Sequence, residues 1–253
     1  MSELDVLNRI KNELGLVMTD VNTLIASHTV PTPPASTLVW QARFAAKNLS
    51  EVNAVGGFVK QGNGAWLAKY VGGKDCIELR IVTPPTGAAY LFVWRQMLLP
   101  LDEYVYSCSY FIPSGITIYD WWHIAQWKST YDGNTNNSVR TVALGIQKNA
   151  AGKMVLYMSQ RPTVDPNAVK QSWISTMEVQ TNQWFTLLTY YKKAKDTTGA
   201  VTVWQDGVKV FDVPNIVTAF ADNTLQWSVN SYTDKITPSP CSIYVTDMKI
   251  ESV

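Results

Sequence analysis

Residues 183–211, QWFTLLTYYKKAKDTTGAVTVWQDGVKVF, constrain the fold of this chain more than any other stretch. Apolar and polar side chains alternate from Trp184 to Tyr191 and again from Val201 to Trp204. A period of two places successive side chains on opposite faces of a strand. Lys195-Asp196-Thr197-Thr198-Gly199 between the two runs is polar and turn-prone. Asp206-Gly207 supplies the positive φ that a tight hairpin turn needs, and Val208 to Val213 returns as a third strand.

The same texture runs from Thr37 to the end. Leu38–Phe44, Ala65–Tyr70, Cys76–Val82, Ala89–Met97, Tyr104–Phe111, Trp121–Trp127, Val139–Gln147, Met154–Ser159, Gln226–Ser231 and Ser242–Ser252 read as short strands between turn residues. No amphipathic helix is predicted after residue 28, and no fixed-period repeat marks a solenoid or propeller. The prediction is an all-β fold, a two-sheet antiparallel sandwich over residues 37–253, preceded by an N-terminal α-helix. The 253 residues suffice for one such domain plus a small appendage.

The amino-terminal segment differs. Leu7, Ile10, Leu14, Val17, Val21 and Leu24 alternate at spacings of three and four, an a/d seam. Ser2 with Glu3 and Asp5 suits a helix start, and the prolines after His28 end the helix. Val6, Met18 and Ile25 widen the stripe beyond a two-helix seam. Residues 1–28 are therefore expected to form an oligomerisation or anchoring helix, most simply a trimeric bundle. Residues 29–36 form a Pro-rich linker. Acids near the start and the lack of a basic-then-apolar pattern predict no secretory signal. A chain made in the cytoplasm and displayed on a virion surface fits that expectation.

Net charge of +1 argues against nucleic acid as a partner, and no apolar run reaches the ~20 residues of a membrane span. Cys76, Cys108 and Cys241 have no CxxC or Cys/His neighbours, so buried free thiols are expected rather than a disulfide framework or zinc site. Paired carboxylates in an ExDxxE run, a G-x-S-x-G elbow and phosphate-binding glycine patterns are missing. Glycosidase, serine-hydrolase and nucleotide chemistry lose their basis.

The Trp-led strand, the connection ending in Gly199, the apolar strand with Trp204 and the Asp206-Gly207 turn resemble concanavalin A-like and laminin-G-like jelly rolls. The closing run Cys241–Ile250 is similar to the last strand of that superfamily. Within it, Trp121-Trp122-His123-Ile124-Ala125-Gln126-Trp127-Lys128 resembles the "W…QWH" strand of heparin-lyase-like polysaccharide lyases, with Lys128 where the resemblance would place His. Such enzymes remove the proton beside a uronic acid carboxylate and expel the next sugar. The resemblance implies Gln126 as carboxylate neutraliser; for a lyase His123 is the candidate base, Tyr131 or Tyr232 could serve instead, and Arg95 or Arg140 could hold the carboxylate. Strict alternation, however, sends His123 and Gln126 to opposite faces unless a bulge intervenes. It groups Gln126 and Lys128 with Ile124 and Trp122, and His123 with Ala125 and Trp127.

The leading expectation is thus a non-enzymatic, homo-oligomeric surface protein in the layout of a phage fibre or capsid decoration, with a capsid or tail protein and a polysaccharide as partners. Trp122, Gln126, Trp127, Tyr131, Asn134 and Asn136 are its candidate glycan-binding residues. No metal is required, although the loop at Asp132 is rich enough in oxygen ligands for Ca2+. The alternative is a polysaccharide lyase, active or degenerate.

Overall fold

The computed structural model describes residues 32–53, 57–84, 86–97, 102–130, 138–165, 167–221 and 225–253. Residues 34–253 form one compact unit. The described elements in chain order are β1 (Thr37–Ala42), a single helical turn α1 (Ser50–Asn53), β2 (Gly57–Gln61), β3 (Gly64–Val71), β4 (Lys74–Ile81), β5 (Ala89–Met97), β6 (Glu103–Phe111) and β7 (Thr117–Ile118). Then come β8 (Trp122–Thr130), β9 (Ser138–Lys148), β10 (Met154–Gln160), β11 (Gln171–Glu178), β12 (Trp184–Lys192), β13 (Gly199–Gln205), β14 (Val208–Ile216), β15 (Leu225–Thr233), β16 (Ile236–Thr237) and β17 (Cys241–Ser252).

One sheet runs β14-β13-β12-β6-β17-β4-β3, with β1 joined to β17, and has eight strands. A second, of seven strands, runs β11-β10-β9-β8-β15-β5-β2. All pairings are antiparallel, and the inner faces of the two sheets share one core, which makes a jelly-roll sandwich. Asp206 and Gly207 both have positive φ, so the β13–β14 hairpin closes through the turn its Asp-Gly dictates.

The expected fold class needs correction. There are three sheets, not two, because β7 and β16 pair as a separate two-stranded sheet. Strands of two residues carry no periodicity from which they could be read. Among the described residues the only helix is the four-residue α1. The expected leading helix and its seam, Leu7, Ile10, Leu14, Val17, Val21 and Leu24, lie outside the described residues. Among the described residues no helix is long and apolar enough to cross a membrane.

Aromatic rings from both sheets meet in the middle of the core. Trp127 of β8 stacks on Tyr191 of β12 at 5.4 Å between centroids, and Tyr106 of β6 meets Trp127 at 5.6 Å and Trp227 of β15 at 5.3 Å. These rings clamp β8 and β15 to the opposite sheet, and the outer face of those two strands carries the groove described below. Trp127 is 1% exposed. Trp127→Ala should therefore lower unfolding free energy by about 3–5 kcal/mol in urea titration. A loss below about 1 kcal/mol would mean that the two sheets are held together elsewhere.

Candidate active site

Two adjoining hollows of about 490 and 470 Å3 open on the outer face of the seven-stranded sheet. Arg140, Arg161 and Tyr232 line both. Tyr90, Phe92, Gln126 and Lys128 belong to the first, and Trp121, His123, Tyr157, Ser159 and Lys170 to the second. The structure thus brings Gln126, His123, Arg140 and Tyr232 onto one surface.

Strict alternation forbids this arrangement, and two bulges permit it. Along β8 and β9, His123 pairs with Gly145 and Ala125 with Leu144, so Ile124 is an extra residue. Trp122, Ile124, Ala125 and Trp127 consequently all point into the core, while His123, Gln126 and Lys128 face the groove. On β9 the register slips again: Trp127 pairs with Val142 and Lys128 with Arg140, leaving Thr141 as the extra residue. The Thr141 hydroxyl turns inward and donates to the Trp127 carbonyl at 3.0 Å. Arg140 is thereby set beside Ala143 and Gly145 on the groove side, not beside Val142 in the core.

Each bulge frees backbone groups that burial would penalise. The Asn230 side chain, fully buried on β15, donates from Nδ2 to the His123 carbonyl at 2.8 Å. Its Oδ1 accepts from the Ser228 hydroxyl at 3.2 Å. The Thr141 carbonyl accepts the Arg161 backbone N–H at 2.8 Å, which seats Arg161 next to Arg140. Gly145 has a packing role. A Cβ there would stand 2.5 Å from the Tyr157 ring and 2.8 Å from the Trp122 carbonyl oxygen. With no side chain between them, His123 on β8 and Tyr157 on β10 approach to 5.7 Å between centroids. Tyr232, paired with His123 on the other flank, also lies at 5.7 Å.

The imidazole is held by two groove side chains. Arg140 Nη1 lies 3.3 Å from His123 Nε2, and the Gln126 amide lies 3.1 Å from Nδ1. A guanidinium can only donate, so Nε2 accepts, and a neutral ring then carries its proton on Nδ1. The structure sets Gln126 Nε2 against Nδ1; two N–H donors cannot face each other, so this tautomer requires the amide turned over, with Oε1 accepting. The ring is neutral because burial, then the charges of Arg140 and Lys170, lower its pKa from 6.5 to about 3. Burial raises the Tyr157 phenol above its ordinary value, and Arg140 partly offsets this, so Tyr157 keeps its proton. The surface therefore offers a neutral imidazole, two phenols, an amide and a guanidinium, the groups needed to take up a proton beside a carboxylate and to steady the resulting anion.

Trp122 and Trp127 do not reach the groove: at 0% and 1% exposure they pack the core, Trp127 by alternation with Gln126 and Trp122 because of the extra residue at Ile124. The groove's aromatic lining comes instead from Tyr90, Phe92, Trp121 and Tyr232, with Trp121 and Tyr232 edge-on at 4.8 Å. Tyr131, Asn134, Asn136 and the candidate calcium ligand Asp132 lie outside the described residues. Among the described residues no group of three or more His, Cys, Asp or Glu could hold a metal. Cys76, Cys108 and Cys241 are free and buried. Tyr157, Ser159, Arg161 and Lys170 were not singled out by sequence, because no motif marks them.

The profile of the family described as polysaccharide lyase matches residues 93–247, well over half of the chain. The protein belongs to the polysaccharide lyase family. No curated protein matches its sequence. Among solved structures, the endo-β-1,4-glucuronan lyase of the fungus Trichoderma reesei superposes with a TM-score of 0.63 at 16% identity, covering 86% of this chain and 96% of that one. The alginate lyase of Aplysia kurodai gives 0.61 at 10% identity, and alginate lyase vAL-1 from Chlorella virus 0.58 at 11%. Each covers 86% of this chain and 100% of its own. These structures share the fold.

The tie between Asn230 and the His123 carbonyl yields a direct expectation. Asn230→Ala leaves that buried carbonyl without its donor and should cost about 1–3 kcal/mol in thermal or urea unfolding. A change under about 0.5 kcal/mol would mean that the bulge holds without Asn230.

Proposed function

We propose that the groove cleaves an acidic polysaccharide by β-elimination at a uronic acid. The observation that supports this most is the convergence of His123, Gln126 and Arg140 on one face, with a tyrosine on either side of the imidazole. Membership of the polysaccharide lyase family and a fold shared with glucuronan and alginate lyases point the same way. The non-enzymatic appendage reading gives way to its alternative.

The roles follow from charge and reach. Arg140 and Gln126 bind the uronate carboxylate and draw charge from it, which acidifies the neighbouring carbon. The His123 Nε2 lone pair accepts a long, weak bond from Arg140. A carboxylate that takes Arg140 for itself frees this lone pair and adds a negative charge beside the ring, so the base strengthens as substrate binds. His123 Nε2 then takes the proton α to the carboxylate. The electron pair left behind forms the enolate, then the new C=C bond as the β C–O bond breaks. Tyr232, half-buried and lining both hollows, donates its proton to the departing glycosidic oxygen. The product carries an unsaturated uronic acid at its new end.

The test is the ultraviolet absorbance of that product when the protein is mixed with polyglucuronate, polymannuronate or polyguluronate. Arg140→Met and Gln126→Ala should each lower kcat by about 10²–10³-fold, and Tyr232→Phe by about 10²–10⁴-fold. With His123 near 3 in the free groove, kcat/KM should stay level as pH falls through 6.5, where an ordinary imidazole would protonate and bend the profile. Absence of unsaturated product from every polyuronate would overturn the reading. A bend at 6.5 that His123→Gln removes would overturn the account of the base.

A further inference from the structure

The groove holds more positive charge than one carboxylate can satisfy. Arg140, Arg161 and Lys170 line the second hollow together, and among the described residues no ion pair joins any of the three to an acid. The only carboxylate in the lining is Asp120. Burial, then the neighbouring guanidinium charges, depress the pKa of Arg140 and Lys170. Its hydrogen-bonding capacity is also unspent. Arg161 Nε and the Ser159 hydroxyl are buried without a partner, and Ser159 is only 7% exposed. Ser159 and Gln126 lie in one row across the sheet, each paired with Ala143 of the strand between.

We infer that Arg161, Lys170 and Ser159 form a second anion subsite beside the reaction centre, which takes the acidic group of the sugar adjoining the one that reacts. The inference rests on the elimination reading for the position of the reacting sugar. The preferred substrate is then a chain with an anionic group on successive sugars, not on alternate ones. Arg161 supplies a planar donor fork, Lys170 a mobile point charge at the exposed lip, and Ser159 a neutral donor at the floor. A carboxylate and a sulfate ester would both fit this donor set.

The test is calorimetric binding of defined oligosaccharides to the full chain, wild type and Arg161→Met/Lys170→Gln, alongside turnover. Three ligands of equal length are needed: a homopolymeric oligouronide, an oligosaccharide alternating uronate with a neutral sugar, and one alternating uronate with a sulfated sugar. The wild type should bind the first at least about 10-fold more tightly than the second. The double variant should lose about 10–100-fold for the homopolymer and little for the neutral alternating chain, with KM raised and kcat within about 3-fold. Tight binding of the sulfated chain, lost in the variant, would support the subsite with sulfate as its anion. Equal losses for all three ligands, or none, would overturn it. Lys170→Gln alone, at an exposed position, should reproduce part of the loss even if Arg161→Met impairs folding. Binding preference without unsaturated product would leave the subsite standing and remove the elimination reading.

Discussion

The Asn230 amide reaches under β8 and holds the His123 carbonyl at the point where the strand takes in an extra residue. The chemistry of the groove depends on that contact. A strand of strict alternation offers Gln126 and Lys128 on one face and His123 on the other. With Ile124 as the additional residue, the three share a face, and the rings of Trp122 and Trp127 turn together into the core. The second bulge, at Thr141, does the same for Arg140 one strand away. Its inward hydroxyl lies 2.9 Å from the Tyr191 hydroxyl of the opposite sheet, which ties the groove's geometry to the core. Both irregularities are supported by buried polar groups, which stabilise a backbone that regular pairing would straighten.

The rigidity of this support matters because the proposed chemistry is mostly electrostatic. An enolate is stabilised by donors already in place, not by donors that must reorganise. His123, Gln126, Arg140 and Tyr232 stand on three adjacent strands, β9, β8 and β15, backed by the Trp127–Tyr191–Tyr106–Trp227 cluster. The chain as a whole is close to neutral at +1, yet the groove gathers Lys128, Arg140, Arg161 and Lys170. Net charge thus conceals a local concentration of positive charge. Attraction is local, set in a half-buried concavity where screening is weaker than on open surface.

Much of the fold was legible from periodicity. Most long strands lie within two or three residues of the runs read from sequence, and the Asp206-Gly207 hairpin closes as its residues require. β11 was not read, since Trp173 and Ile174 sit side by side and spoil its alternation, and Ile174 remains 57% exposed at the sheet edge. The paired fragments β7 and β16 were too short to leave a pattern, and the sheet count came out wrong. At the site, Gln126, His123, Arg140 and Tyr232 could be named, but their meeting could not be derived. A bulge is one extra residue in one strand, and it appears in sequence only as a broken parity at Ile124-Ala125. The same break turns Trp122 away from the face of Gln126 that alternation gives it. Arg161 and Lys170 reach the groove through the end of β10 and the loop after it, a tertiary fact with no local signature.

Little sequence identity accompanies much shared architecture. The family match begins at residue 93 and ends at 247, a span that contains every proposed reacting group and both bulged strands but leaves out Tyr90 and Phe92 of the groove wall. Within such a sandwich, inward positions need only be apolar and of suitable volume, which many sequences satisfy. Outward positions are free to differ, except where a bulge must be held and a carboxylate met. Identity of 10–16% is compatible with a common frame when inward positions need only be apolar and of suitable volume. In this chain alternation breaks at Ile124, held by Asn230, and at Thr141, held by the Trp127 carbonyl, and the breaks bring the imidazole, the amide and the guanidinium onto one face.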